Sequence, residues 1–460
     1  MALVIAGERS GVGKTTVTLA LLSSLSRRAK RVQSFKVGPD YIDPMFHQWV
    51  TGHPCRNLDP VLTSETYVQE CFTRHIQGVD YALVEGVMGL FDGASGRDDF
   101  ASTAHMARLL QLPVLLVVDC SSLSRSVAAI AHGYRSFDPR ITIAGVVLNR
   151  VGSDRHWELL QDALAPLELP ILGVLRRNEA IAIPDRHLGL VPTAELTHLD
   201  RLIDRLAHIG DSCFDWERLF PLLSPPLVKQ PHLTPGSPLP TRIAIARDRA
   251  FSFYYQDNLD IWQQLGAELV PWSPLTDAGL PEGVQGLYFG GGFPEVFAEP
   301  LAENTEARAA LHRAIVGGMP TYAECGGLMY LCQNITDFEG QSWPMVGILP
   351  TTAVMDRHLT LGYRQATAGQ DSLLLSAGAK VWGHEFHRSQ LTAMPKQPLW
   401  EIKGYHPKGE SKTVSEGWQL YQLHASYIHL HWGGHPELAA KFLQRCHDQA
   451  PNKQLTTNNK

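Results

Sequence analysis

The chain has 460 residues, 44% hydrophobic and 19% charged, and 40 Lys and Arg against 46 Asp and Glu leave a net charge of −6. That length suits two or three globular domains, and the charge balance argues against a nucleic-acid binder held by bulk electrostatics. Apolar runs such as Leu112–Val118 fall far short of the roughly 20 residues that span a bilayer, and no basic segment leads into an apolar one at the start, so neither a membrane nor a secretory signal is expected.

Leu3–Ala6 predicts a short buried strand, followed at once by Gly7-Glu-Arg-Ser-Gly-Val-Gly-Lys-Thr-Thr16 and an apolar helix through Leu25. Strand, glycine loop, Lys-Thr and helix form the context of a phosphate-binding loop. Its glycines turn backbone N–H groups inward, and the helix N-terminus adds partial positive charge. Gly11, Gly13, Lys14, Thr15 and Thr16 are therefore the candidate ATP-binding residues, with Lys14 on the β/γ-phosphates and Thr15 on Mg2+. The strict pattern would need glycine at position 8, where Glu8 stands.

Val32–Lys36, Tyr81–Glu85, Val114–Asp119, Ile143–Leu148 and Ile171–Val174 are further apolar runs separated by helix-like spacers. They predict a parallel sheet covered on both faces. Ligands of such sheets bind beyond the carboxyl ends of the strands, where Asp40, Asp43, Glu85 and Asp92 emerge. Mg2+ takes one or two carboxylates beside phosphate oxygens and water. Spacing alone does not divide the four between metal and substrate, and each also suits a turn before glycine or proline.

Pro221–Pro240 holds seven prolines in twenty residues. Proline removes donors and fixes φ, so an extended linker is expected there, between domains at 1–220 and 241–448, with a frayed tail at 449–460. In the second half Arg242–Ala246, Glu268–Trp272, Gly286–Phe289 and Thr321–Ala323 predict another α/β sheet, and antiparallel strands are expected from about Trp343.

Thr321-Tyr-Ala-Glu-Cys-Gly-Gly327 reads as a strand running into a sharp turn and helix, the form of a nucleophile elbow around Cys325. A helix N-terminus there is expected to lower the thiol pKa. The glycines after Phe289, Gly291 and Gly292 among them, offer N–H groups for an oxyanion hole. The base must be a histidine, with His424, His429, His431 and His435 available. Ala425–Trp432 reads as one strand with His429 and His431 on the same face, whereas His435-Pro-Glu437 has the pattern of a base and its orienting carboxylate, and pattern alone favours it. The cluster fits no common zinc spacing, and His384 and His387 are three apart rather than four. The seven scattered cysteines, without CxxC spacing, fit a reduced cytoplasmic chain.

Taken together, these residues resemble the cobyrinic acid a,c-diamide synthases among the cobalamin-pathway glutamine amidotransferases. The resemblance rests on the loop at 7–16, Lys36-Val-Gly-Pro-Asp-Tyr-Ile-Asp-Pro44, Val84-Glu-Gly-Val-Met-Gly-Leu-Phe-Asp-Gly93 and Leu172-Gly-Val-Leu-Arg-Arg177. It continues through Ala246-Arg-Asp-Arg-Ala-Phe-Ser-Phe-Tyr-Tyr255, Phe289-Gly-Gly-Gly-Phe-Pro-Glu295, Glu324-Cys-Gly-Gly327 and Gly383-His-Glu-Phe-His387. It implies a dethiobiotin-synthetase-like ATP-binding domain followed by a class I glutamine amidotransferase-like domain. It also implies conversion of two acetate side chains of a corrin, a and c, to amides with glutamine, ATP and Mg2+ consumed or required. Loops of this type share the shifted first glycine.

In the cobalamin branch the base follows a Tyr-x-His pattern, here Tyr427-Ile-His429, which selects His429 over His435 and leaves the third member of the site without a counterpart. Thr15, Asp40 and Glu85 then become the expected metal ligands, and Asp43 and Asp92 the expected contacts to the corrin carboxylates or the attacking ammonia. Cobyrinic acid, L-glutamine and ATP are the expected partners, without nucleic acid or membrane, and a homodimer is left open. Rival readings are amidation of hydrogenobyrinic acid or nickel-sirohydrochlorin, the later cobyric acid step, and a partitioning-type P-loop switch. The switch lacks the extra lysine near its loop and leaves Cys325 without a purpose.

Overall fold

A computed structural model describes residues 2–225, 240–405 and 412–449. The chain divides into two compact units, residues 1–232 and 233–460. In the first, β1 (Leu3–Gly7), α1 (Lys14–Arg27), β2 (Val32–Val37), α2 (Ile42–Thr51), β3 (Arg56–Leu58), α3 (Glu65–His75) and β4 (Tyr81–Glu85) lead to α4 (Thr103–Leu109) and β5 (Val114–Asp119). Then come α5 (Ser126–Phe137), β6 (Ile143–Val151), α6 (Asp154–Leu164), β7 (Ile171–Arg176), a hairpin of β8 (Asp185–Arg186) and β9 (Gly189–Leu190), α7 (Leu199–Cys213) and α8 (Trp216–Leu223).

The seven-stranded sheet has the order β3-β2-β4-β1-β5-β6-β7 and is parallel at every pairing. β1, β2 and β5 are buried at every position because helices cover both faces. All six expected strands are present. The short edge strand Arg56–Leu58, too brief and polar to signal itself, was not expected. β1 lies between β4 and β5, so the chain leaves the sheet after β1 at the point where strand order reverses, which is where such sheets bind ligands.

The second unit contains β10 (Thr241–Ala246), β11 (Phe251–Phe253), α9 (Gln256–Gln264), β12 (Ala267–Trp272), β13 (Gly286–Phe289), β14 (Gly291–Gly292), α10 (Ala298–Glu303), α11 (Thr305–Val316), β15 (Thr321–Glu324) and α12 (Gly326–Leu331). It continues with β16 (Cys332–Thr336), β17 (Ser342–Pro344), β18 (Leu349–Ala368), β19 (Lys380–Leu391), β20 (Trp400–Gly404), β21 (Val414–Glu416), β22 (Trp418–Leu420), β23 (Leu423–Ser426), β24 (His429–Leu430) and α13 (Pro436–Asp448). One sheet runs β12-β10-β13-β15-β23-β22, parallel except for β22. The other is built on the long β18–β19 antiparallel ribbon, as expected for the last third, though β16 joins β18 in parallel. Aromatic side chains of β13, β15 and the flanking helices fill one core of this unit, with Trp262, Tyr288, Tyr322, Trp432 and Phe442 packed together.

Two local expectations change. The linker was expected to begin at Pro221, yet α8 carries Pro221 inside it and ends at Leu223. Pro221 is the sixth residue of α8 and cannot donate to the carbonyl of Glu217 four back; burial of Trp216, Leu219 and Leu223 on the same helix offsets that loss. Most of the expected linker, residues 226–239, and the tail from 450 lie outside the described residues. Ala425–Trp432 is not one strand. The chain pairs with β15 up to Ser426, leaves at Tyr427 and Ile428, and resumes at His429 paired with β19.

Candidate functional site

The loop after β1 turns into α1 through Gly11 and Gly13, with φ of 78° and 97°, and Gly13 is the residue before the helix. Both angles lie in the region that only glycine enters without strain. Asn149, at the end of β6, donates to Val12 O at 2.8 Å and holds the loop from behind. Lys14 Nζ donates to the carbonyls of Arg9, at 3.2 Å, and Met88, at 2.5 Å. Burial, then the charge of Lys36, lowers Lys14 to about 8. Glu8, in the place of the expected glycine, pairs with Arg9 and accepts from Asp119 N at 3.2 Å.

Thr15 Oγ1 donates to Glu85 Oε1 at 2.7 Å and lies 3.3 Å from Asp43 Oδ2. Between those carboxylates stands the ammonium of Lys36, 2.5 Å from Asp43 and 2.9 Å from Glu85, with Asp40 at 3.7 Å. His47 Nε2 closes on the other Glu85 oxygen at 2.7 Å, and its Nδ1 is 3.3 Å from Cys55 Sγ. Burial disfavours charge on Glu85, but Lys36 and then His47 outweigh it and hold the carboxyl below its ordinary range. Burial and the charge of Asp40 instead hold Asp43 above its own, against the pull of Lys36. One carboxylate is thus kept ionised and its neighbour is able to carry a proton.

Among the expected metal and substrate residues, Thr15, Glu85 and Asp43 come together. Asp40 reaches the cluster with one oxygen, while the other accepts from the backbone of Ile42 and Asp43 at the start of α2. Asp92 is not in contact with it, and its carboxylate accepts from Gly89 N at 2.8 Å, a turn role. Lys36 and His47 were missed as site residues. The signal for Lys36 was a lysine inside a strand otherwise reading as buried, because such an ammonium needs carboxylates around it.

In the second unit Cys325 follows β15 with φ 47° and ψ −102°, an uncommon backbone conformation for a non-glycine residue and one that an elbow demands. Its N–H donates to Ser426 O at 2.7 Å, and its Sγ is 4.0 Å from Phe386 O. The expected lowering of the thiol pKa is overturned. Burial, then the carboxylate of Glu295, pushes Cys325 up, and the following helix is only six residues long. A thiol held in this state is protonated at rest and needs a base.

The Gly290–Gly292 loop packs on this elbow, with Gly292 N 3.1 Å from the place a Cβ on Gly326 would take. A Cβ on Gly291 would lie 2.6 Å from His429 Cε1, so glycine there lets the imidazole approach. Gly290 N donates to Tyr254 OH at 3.0 Å, which ties down the start of the loop. The break at Tyr427–Ile428 that turns His429 toward the loop is held by Glu416, whose carboxyl meets Ser426 Oγ at 2.5 Å and Tyr427 N at 2.7 Å.

His429 is buried, with Nδ1 3.5 Å from Glu324 Oε2. His431 faces elsewhere, 3.5 Å from Asp257, with its ring 4.7 Å from that of Tyr255 and tilted by 41°. His435 sits half-exposed at the start of α13, 3.0 Å from Glu437. Glu324, placed directly before Cys325, was not among the expected site residues.

Residues 3–191 match the CobQ/CobB/MinD/ParA nucleotide binding domain, and residues 242–437 match the CobB/CobQ-like glutamine amidotransferase domain. The chain is 62% identical to a cobyrinate a,c-diamide synthase of Synechococcus sp., over 97% of this chain and 98% of that one. It is 52% identical to the enzyme of the same name from Synechocystis sp., over 97% and 93%. Identity to the hydrogenobyrinate a,c-diamide synthase of Streptomyces coelicolor is 42%, over 96% and 97%. With both halves matched and near-complete coverage, the chain belongs to the cobyrinate a,c-diamide synthase family of glutamine-dependent amidotransferase ligases.

Proposed function

We propose that the chain amidates the a and c acetate carboxylates of cobyrinic acid in the cytoplasm, using ATP, Mg2+ and L-glutamine. The observation that carries this reading is the pairing, in one chain, of the Thr15–Glu85–Asp43 cluster at a phosphate loop with the Cys325 elbow. A carboxylate is a poor electrophile, so one oxygen of the corrin acetate attacks the γ-phosphorus of ATP, and ADP leaves. Gly11, Gly13 and Thr16 supply the loop and helix start for the phosphates, and Lys14 neutralises their developing charge. The hydroxyl of Thr15 and the ionised carboxylate of Glu85, with Asp40 at the edge, form a hard oxygen set that suits Mg2+, whose charge stabilises the phosphates when bound. Asp43, able to hold a proton near neutral pH, positions the corrin carboxylates and the incoming ammonia, and Asp92 adds a second contact to them with the carboxylate oxygen that its turn bond to Gly89 N does not use.

Ammonia is released in the second unit. His429 takes the thiol proton of Cys325, the thiolate attacks the glutamine amide carbon, and N–H groups of Gly291 and Gly292 receive the oxyanion. The proton returns to the departing nitrogen, and water then releases glutamate from the thioester. Ammonia attacks the acyl phosphate, phosphate leaves, and an amide remains.

Mass spectrometry of cobyrinic acid incubated with the protein, glutamine, ATP and Mg2+ tests this. Two replacements of hydroxyl by amino, and no more, are expected, and one or more than two would count against it. The name of the Streptomyces relative supports a second substrate, hydrogenobyrinic acid, and the same assay run on it decides the preference.

A further inference from the structure

We propose that Glu324 is the carboxylate that orients His429, the part in the glutamine-hydrolysing site that Glu437 does not play. This rests on reading Cys325 as the nucleophile and His429 as its base. A base imidazole works in one tautomer and one orientation, and a buried carboxylate on its far nitrogen sets both. Glu324 Oε2 lies 3.5 Å from His429 Nδ1, and both side chains are 1% exposed.

The remaining bonds of Glu324 fix where that oxygen points. Oε1 accepts from Leu430 N at 3.0 Å and from the Tyr322 hydroxyl, and Oε2 accepts from Tyr288 OH at 3.2 Å. Leu430 follows His429 on β24, so one carboxylate grips the strand backbone and faces the ring it carries. With Nδ1 toward Glu324, the edge bearing Cε1 and Nε2 is the one that abuts Gly291, where an added Cβ would stand 2.6 Å and 3.4 Å from those atoms. That loop is the one packed on the Cys325 elbow. Glu437, by contrast, has a side chain 68% exposed and pairs with His435.

Adjacent residues of a strand normally project to opposite faces. The left-handed φ of Cys325 ends that alternation, so a carboxylate one position before the nucleophile can serve the same site. Other titratable groups around the pair are His384, opposite His429 on β19, the phenols of Tyr254, Tyr288 and Tyr322, and the Cys325 thiol. Burial keeps the phenols and thiol protonated, and burial with the nearby His429 keeps His384 neutral; Glu295 and Glu385 bear on the Cys325 thiol and Arg364 on His384, and Glu324 is the carboxylate set 3.5 Å from His429 Nδ1.

The test is Glu324→Gln, which keeps the shape and removes the charge. Its kcat/KM for glutamine hydrolysis should fall about 100-fold, and the acid limb of the pH profile should move to lower pH because the imidazolium loses its partner. Glu324→Asp should restore part of the loss. Amidation supplied with ammonium salt should stay at the wild-type rate, which shows the synthase unit intact, and an unchanged circular dichroism spectrum and melting temperature show the second unit folded. A reduced rate with an unmoved acid limb would mean that Glu324 only supports the tyrosines and Leu430, and would overturn the proposal, as would wild-type hydrolysis. In the unaltered protein, nitrogen-15 spectra of labelled histidines should place the neutral His429 proton on Nδ1, and a proton on Nε2 would equally overturn it. Cys325→Ala and His429→Ala run beside these: retained hydrolysis in either would sink the underlying reading, whereas their loss with a wild-type Glu324→Gln would sink only the role of Glu324.

Discussion

Thr15 Oγ1 donates to Glu85 Oε1 at 2.7 Å, joining the first turn of α1 to the end of β4 across seventy positions of sequence. Because β4 and β1 are neighbours in the sheet, this bond sets a hydroxyl and an ionised carboxylate at the mouth of the phosphate loop. Lys36 and His47 share the same carboxylate. Their positive charges hold Glu85 ionised despite complete burial, which keeps the cluster ordered.

Asp43 lies at the edge of that cluster, in contact with Thr15 and Lys36. Asp43→Asn keeps the shape but loses the proton-holding group and one of the charges that balance Lys36. Amidation should fall about 10-fold or more, while glutamine hydrolysis measured as glutamate released is spared. Equal loss of both activities would count against a role in the synthase step.

The two candidate bases differ in burial and surroundings. His429→Ala should reduce glutamine hydrolysis by about 100-fold or more. His435→Ala, which removes a half-exposed ring paired with the exposed Glu437, should leave it within about 2-fold, since exposed pairs contribute little. Steady-state kinetics with glutamine decides, and a severe loss in His435→Ala would reverse the assignment.

α7 packs closely against α1 at Gly210, where a Cβ would collide with the carbonyl of Ala20 and stand 2.8 Å from Ser24 Cβ. Gly210→Ala should therefore destabilise the first unit by about 1–3 kcal/mol through overpacking. A denaturant titration that follows the first unit reads this, and an unchanged midpoint would show that the helices can separate without penalty.

Glu416, which holds the turn before His429, is pushed up to about 8 by burial first and by the charge of Glu385 second. A carboxyl raised in the folded state stabilises most below its unfolded value of about 4.5, and that contribution is lost as pH rises through about 8. Glu416→Gln stays neutral throughout. Its melting temperature should exceed that of the wild type above this range, and its pH dependence should be flatter. Parallel curves for the two proteins would contradict the shift.

Much of the fold was legible in the chain because it is written locally. Val114–Asp119, a short apolar run ending in a polar residue, reads as a strand covered on both faces, and a glycine loop entering a helix declares a phosphate site without reference to anything distant. Arg56–Leu58 was not legible, since three residues carry no period. The proline run predicts a linker from Pro221, yet the helix that carries Pro221 inside it is held by burial of Trp216, Leu219 and Leu223, which outweighs local propensity.

The site divides the same way. Residue type and spacing by themselves determined that this protein has a phosphate loop at Lys14 and Thr15, carboxylates at the strand ends and a cysteine on an elbow, because each depends on a few contiguous residues. Only the tertiary structure decided that Asp43 joins the cluster while Asp92 serves a turn, that Lys36 stands among the carboxylates, and that burial leaves the Cys325 thiol protonated. It also brought Glu324 beside His429, a pair that chain order separates by more than a hundred residues. Such meetings depend on which strands are neighbours and on how much water is excluded, and neither quantity is carried by any short stretch of sequence.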